Sequence, residues 1–133
     1  MFLEDPLAVG LLLAAYLMGA IPTALWVGKT FHGIDLREHG SQNAGATNTI
    51  RVLGLKVGIP VLLFDVLKGF VATQLSYLIA GKLEENTLIQ VQLILGLVAV
   101  MGHLFPVFAS FRGGKGIAAL LGVFLGIHPL SAS

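Results

Sequence analysis

The chain has 133 residues, 56% hydrophobic and 11% charged, with a formal net charge of +1 and a mean hydropathy of +0.89. A soluble domain of this size needs a charged exterior that this composition does not supply, so a bilayer is the expected solvent. No basic cluster with interleaved aromatics is present, which argues against a nucleic-acid partner. The absence of cysteine excludes a disulfide framework or a thiolate metal site.

Four apolar blocks are long enough to span a bilayer, for which about 20 apolar residues suffice. They are residues 7–28, 57–81, 88–111 and 116–133. Only helices suit such lengths, because lipid leaves open backbone groups without partners. The expected fold is therefore all-α, a polytopic transmembrane helix bundle forming a single membrane domain over residues 1–133. The first block follows Glu4 and Asp5 and has no basic residue before it, the reverse of a secretory signal, and reads as a retained span. Pro6 suits a helix start, and Pro22 and Pro106 are expected to kink or end their helices.

The connections are a long polar segment at 29–56, a short turn at 82–87 and a short loop at 112–115. Lys29, Arg37, Arg51, Lys56, Arg112 and Lys115 fall on one side and Lys82 on the other. The positive-inside bias puts the long segment and the 112–115 loop together in the cytoplasm, with the N-terminus outside.

Both loops have phosphate-binding chemistry. The first runs His39-Gly40-Ser41-Gln42-Asn43-Ala44-Gly45-Ala46-Thr47-Asn48, with Arg51 beyond. Glycines let successive N–H groups form an anion-binding concavity. Ser41, Asn43, Thr47 and Asn48 add side-chain donors, and Arg51 offers a bidentate fork. An ordinary surface loop with Asx turns has the same composition. The second loop ends in Arg112-Gly113-Gly114-Lys115-Gly116 ahead of an apolar helix, whose N-terminal dipole favours an anion. Its spacing is not that of a nucleotide P-loop. A tight turn with a positive-inside anchor is the alternative.

His103, between the loops, is placed to bind phosphate or move a proton, whereas His32, His39 and His128 lack such support. No metal-ligand spacing is seen, and no cofactor is expected. Asp65 and Lys68, three residues apart, share one helix face at membrane depth. They are read as a structural or supporting pair, with a functional role as the alternative. Gly10, Ala14, Ala15, Gly19, Gly96, Ala99 and Gly102 supply faces for close helix packing.

Taken together, HGSQNAGATN with Arg51, FDVLKG over 64–69 and GHLFPVFASFRGGKGIA over 102–118 resemble the bacterial membrane acyl-phosphate-dependent glycerol-3-phosphate acyltransferases. The resemblance implies transfer of a fatty acyl group from acyl phosphate to the 1-hydroxyl of sn-glycerol 3-phosphate, giving lysophosphatidic acid and phosphate in phospholipid biosynthesis. It implies a multi-pass protein of the bacterial inner membrane whose partners are acyl phosphate, sn-glycerol 3-phosphate and the lipid bilayer. Ser41 and His103 would be catalytic; Asn43, Asn48, Arg51, Arg112, Gly113, Gly114, Lys115 and Gly116 would hold substrate phosphates. Family members have about seven helices and a third motif further along, so the chain is expected to be a truncated form with about four spans and with weak or no activity of its own. A transporter of a phosphorylated metabolite is the alternative function, and a structural membrane subunit a further one.

Overall fold

The computed structural model describes residues 6–79 and 85–132, and its regular elements are all helical. The α-helices are α1 (Pro6–Ala20), α2 (Thr23–His32), α3 (Ala46–Leu53), α4 (Leu55–Gln74), α5 (Glu85–Leu104) and α6 (Ile117–Ala132). Glu4, Asp5, Lys82 and Ser133, on which part of the expected topology rests, lie outside the described residues.

The block at 7–28 is two helices, α1 and α2, bent by 42°. Pro22 has no N–H to give the Met18 carbonyl, and the Ile21 N–H takes that carbonyl at 3.3 Å in a tighter turn. The helix of the block at 88–111 stops at Leu104, before Pro106, and only a 3-10 turn at Val107–Ala109 continues it. With that turn, Thr87–Ala109 is the one described helix that is by itself long and apolar enough to cross a membrane; the bent α1–α2 pair also passes if taken as one span. Its 23 residues span about 34 Å at helical rise, against a hydrocarbon core of about 30 Å. The expected loop at 29–56 contains α3, and Gly54, at φ +91°, turns the chain directly into α4.

The polarity is inverted relative to a soluble bundle. Leu13, Leu63, Leu67 and Phe124 are more than half exposed, whereas Asp65, Lys68, Thr73, Gln92 and His103 are buried. Such an exterior suits lipid, which cannot satisfy polar groups. α1 packs along α5, and α4 along α6. At both seams glycine lets backbones touch: a Cβ on Gly19 would overlap Ala99 of α5, and one on Gly122 would overlap Val66 of α4.

Two apolar cores result. One fills the bundle around Leu11, Ala15, Ala72, Leu95 and Ala99. The other, built on Leu25, Leu36, Ala44, Ala46, Val61 and Ala109, sits beneath the loops and anchors both of them to α2 and α4.

Candidate active site

The first loop is organised from α3. Asn48 is 1% exposed, and its Nδ2 donates to the carbonyls of Leu36 (3.0 Å), His39 (3.0 Å) and Asn43 (2.9 Å). Its Oδ1 accepts the Ser41 N–H at 2.9 Å. The chain turns around this amide through Gly40 (φ +57°) and Gln42 (φ +65°), and a Cβ on Gly40 would overlap Asn48 Oδ1. Asn48, expected to hold a substrate phosphate, also lines the cleft between the loops. Both ends of its amide are taken up by the loop's own backbone, and the residue shapes the site without offering a free donor to it.

The second loop runs from Phe105 to Gly116. Ser110 (φ +57°) and Phe111 (φ +62°) are both left-handed, and the Gly113 N–H returns to the Leu104 carbonyl at 3.1 Å. A Cβ on Gly113 would overlap the His103 carbonyl. One on Gly114 would lie 2.7 Å from His103 Nε2 and 3.3 Å from Gly45 of the first loop. The two loops therefore meet across the imidazole, and a side chain at Gly114 would part them.

Between them lies a cleft of about 440 Å³, within the range of small-molecule sites. Ser41, Asn43 and Arg51 line it from one side, and His103, Lys115 and Gly116 from the other. Residues of the first turns of α3 (Ala46, Thr47) and of α6 (Ile117, Ala118) also line it. Each first turn carries N–H groups without intrahelical acceptors and the positive end of a helix dipole. Neither Arg51 nor Lys115 pairs with a carboxylate among the described residues. Leu62 and Leu121 supply an apolar wall.

Not every expected residue reaches this cleft. Arg112 is exposed and does not line it. Gly113 and Gly114 instead line a separate chamber of about 10 Å³ behind His103, beside Asp65 and the α1–α2 break. Asp65 and His103 border both spaces. Asp65 and Lys68 form the expected pair, with Nζ 3.2 Å from Oδ1. Lys68 also donates to the Ile21 carbonyl at 2.9 Å, so the pair secures the bend at Pro22. Asp65 Oδ1 and Thr23 Oγ1 accept no well-aligned hydrogen bond among the described residues.

Sequence reading gave Arg37 only a topological part. The structure places it, half-buried, between the loops, with Asp35 as its carboxylate partner at 3.0 Å. The Arg37 side chain holds the Asp35 carboxyl below its ordinary value of 3.8. The Asp35-x-Arg37 spacing was the available signal.

Comparison with known proteins bears on this geometry. The family described as glycerol-3-phosphate acyltransferase matches residues 9–133. The glycerol-3-phosphate acyltransferase of Streptococcus equi subsp. equi is 51% identical over 121 residues, covering 90% of this chain and 53% of that protein. The one from Fusobacterium nucleatum subsp. nucleatum is 52% identical over 117 residues, covering 86% and 56%. The chain thus spans about half the length of these curated relatives. Crystal structures of PlsY (YgiH), described as an integral membrane glycerol 3-phosphate acyltransferase, share the fold. The glycerol 3-phosphate form is 44% identical with a TM-score of 0.75, over 92% of this chain and 58% of that one. The lysophosphatidic acid form is 41% identical with a TM-score of 0.72, over 92% and 57%. With a family match over nearly its whole length, the chain belongs to the glycerol-3-phosphate acyltransferase family.

Proposed function

We propose that this chain forms the phosphate-handling half of a membrane acyltransferase that moves a fatty acyl group from acyl phosphate to the 1-hydroxyl of sn-glycerol 3-phosphate. The observation that carries the reading is the shared cleft, where Arg51, Lys115 and two helix N-termini surround one space against an apolar wall. Two phosphorylated substrates, one of them with an acyl chain, call for that combination of charge and apolar surface. The crystal forms of PlsY with glycerol 3-phosphate and lysophosphatidic acid support the same acceptor and product.

In the proposed reaction the 1-hydroxyl oxygen attacks the acyl carbonyl carbon. The ester bond forms as the acyl–phosphate C–O bond breaks, and the hydroxyl proton passes to the departing phosphate, whose second pKa is about 6. An activated donor needs no covalent enzyme intermediate. The protein's part is positioning and charge stabilisation. Ser41 and Asn43 would orient the donor phosphate with Arg51, while Lys115, Gly116 and His103 would hold the glycerol phosphate. The charge bias of the connecting segments supports an orientation with both loops cytoplasmic, and the resemblance to bacterial membrane acyltransferases supports the inner membrane as the location.

The test is phosphate release from palmitoyl phosphate by membranes carrying this chain, and carrying a version extended to the length of its relatives. Release dependent on glycerol 3-phosphate supports the proposal. Uptake of labelled glycerol 3-phosphate into vesicles without acyl transfer would favour the transporter.

A further inference from the structure

We infer that Arg37 is a positioning residue that holds the second loop in register with the first. The inference concerns loop geometry and its kinetic part rests on the proposed reaction. Arg37 Nε and Nη2 donate to the two carboxylate oxygens of Asp35 at 3.1 and 3.0 Å, a bidentate pair that fixes the plane of the guanidinium. The remaining edge faces the other loop, where Nη1 donates to the Ala109 carbonyl at 2.7 Å and to the Arg112 carbonyl at 3.4 Å. Asp35 is itself held in place, because the same carboxylate accepts the Arg37 N–H at 2.9 Å and caps the 3-10 turn at Leu36–Glu38. Leu36, fully buried in the core beneath the loops, roots that turn in the fold.

The clamped segment is one that needs holding. Between the two carbonyls lie Ser110 and Phe111, consecutive non-glycine residues in the left-handed region. Such a conformation persists only where its surroundings over-determine it. Directly after Arg112 come the glycines packed on His103, and then Lys115 in the cleft. A shift of the 109–112 turn would therefore displace Lys115 relative to Arg51. Lysine at position 37 would keep the charge but could not span a carboxylate and two carbonyls with one ammonium.

The test uses amide hydrogen exchange of this chain in lipid nanodiscs, with Arg37→Lys and Asp35→Asn. The amides of Ala109, Phe111, Arg112 and Gly113 are hydrogen-bonded within the loop and should exchange at least about tenfold faster in Arg37→Lys while α1 and α5 keep their protection. Asp35→Asn should give the same pattern more weakly, and it carries the test alone if Arg37→Lys does not fold. In the extended, active protein, Arg37→Lys should raise the KM for glycerol 3-phosphate more than it lowers kcat. Unchanged exchange at 109–113 in the folded variants would overturn the inference. Faster exchange with no acyl transfer even by the unsubstituted protein would leave the clamp standing and remove the proposed reaction.

Discussion

The two loops of the cleft are built on opposite plans. The first carries its own organiser: the Asn48 amide makes four hydrogen bonds to main-chain groups of residues 36–43, and Leu36, Ala44 and Ala46 plug it into the core. The second has no such side chain. It is shaped by main-chain contacts, by left-handed residues and by glycines pressed on His103, and its side-chain ties come from outside it, from Arg37 to the Ala109 carbonyl and from Tyr16 of α1 to the Phe105 carbonyl, each at 2.7 Å. One loop is therefore self-supporting and the other dependent, so damage to the first should spread to the second but not the reverse.

The sharpest break of that contrast is at the seam. Gly114→Ala adds a Cβ against His103 Nε2 and Gly45. A displacement of about 1 Å can cost about 10²-fold in rate, so acyl transfer should fall by that order while the melting temperature changes little. Steady-state kinetics beside a thermal melt would decide it.

Asn48→Asp tests the self-supporting loop. It sets a carboxylate against the three carbonyls that now receive an amide. Leaving buried polar groups without partners costs about 1–3 kcal/mol each, so thermal stability and activity should fall together. Loss of activity at unchanged stability would mean that Asn48 acts on substrate after all.

Lys115→Met removes one charge from the cleft and leaves the loop's backbone contacts. A hydrogen bond to a charged group is worth about 1.5–3 kcal/mol, so the KM for glycerol 3-phosphate should rise by about 10- to 100-fold. An unchanged KM would assign that substrate to the other loop.

Acid should touch the loops only below the ordinary range. The Asp35 carboxyl is lowered, first by the hydrogen bond from the Arg37 side chain, and Lys29 stands 3.9 Å away. A lowered carboxylate stabilises the fold fully above its unfolded value of 3.8 and loses that contribution as pH falls through the lowered one. Exchange protection at 109–113, corrected for intrinsic rates, should be flat between about pH 5 and 8 and decline in stronger acid. The smallest effect is expected at Arg112, exposed and outside the cleft: Arg112→Ala should change kcat/KM by less than about twofold, as for most surface substitutions.

These outcomes also mark what could be read from residues alone. Asp65 and Lys68 were legible as a pair because helical spacing dictates it. The breaks at Pro22 and Pro106 were legible because a missing N–H has one consequence. Asn48 was not, since an amide in a glycine-rich loop reads the same whether it faces a ligand or its own backbone. Arg37 was not, because its partner carbonyls lie 72 and 75 residues away and leave no side-chain pattern. The short α3 was hidden in a polar stretch, and the early end of α5 by the apolar residues Val107, Phe108 and Phe111 of the loop that follows.

The central claim is that both loops serve one phosphate-handling cleft. Its most direct test is glycerol 3-phosphate-dependent release of phosphate from palmitoyl phosphate by the extended protein, with Arg51→Ala and Lys115→Met measured side by side. The account predicts that each substitution alone cuts kcat/KM by at least about tenfold, since each removes a charge-assisted contact in the same site. Full activity in either variant, with the protein folded, would contradict it.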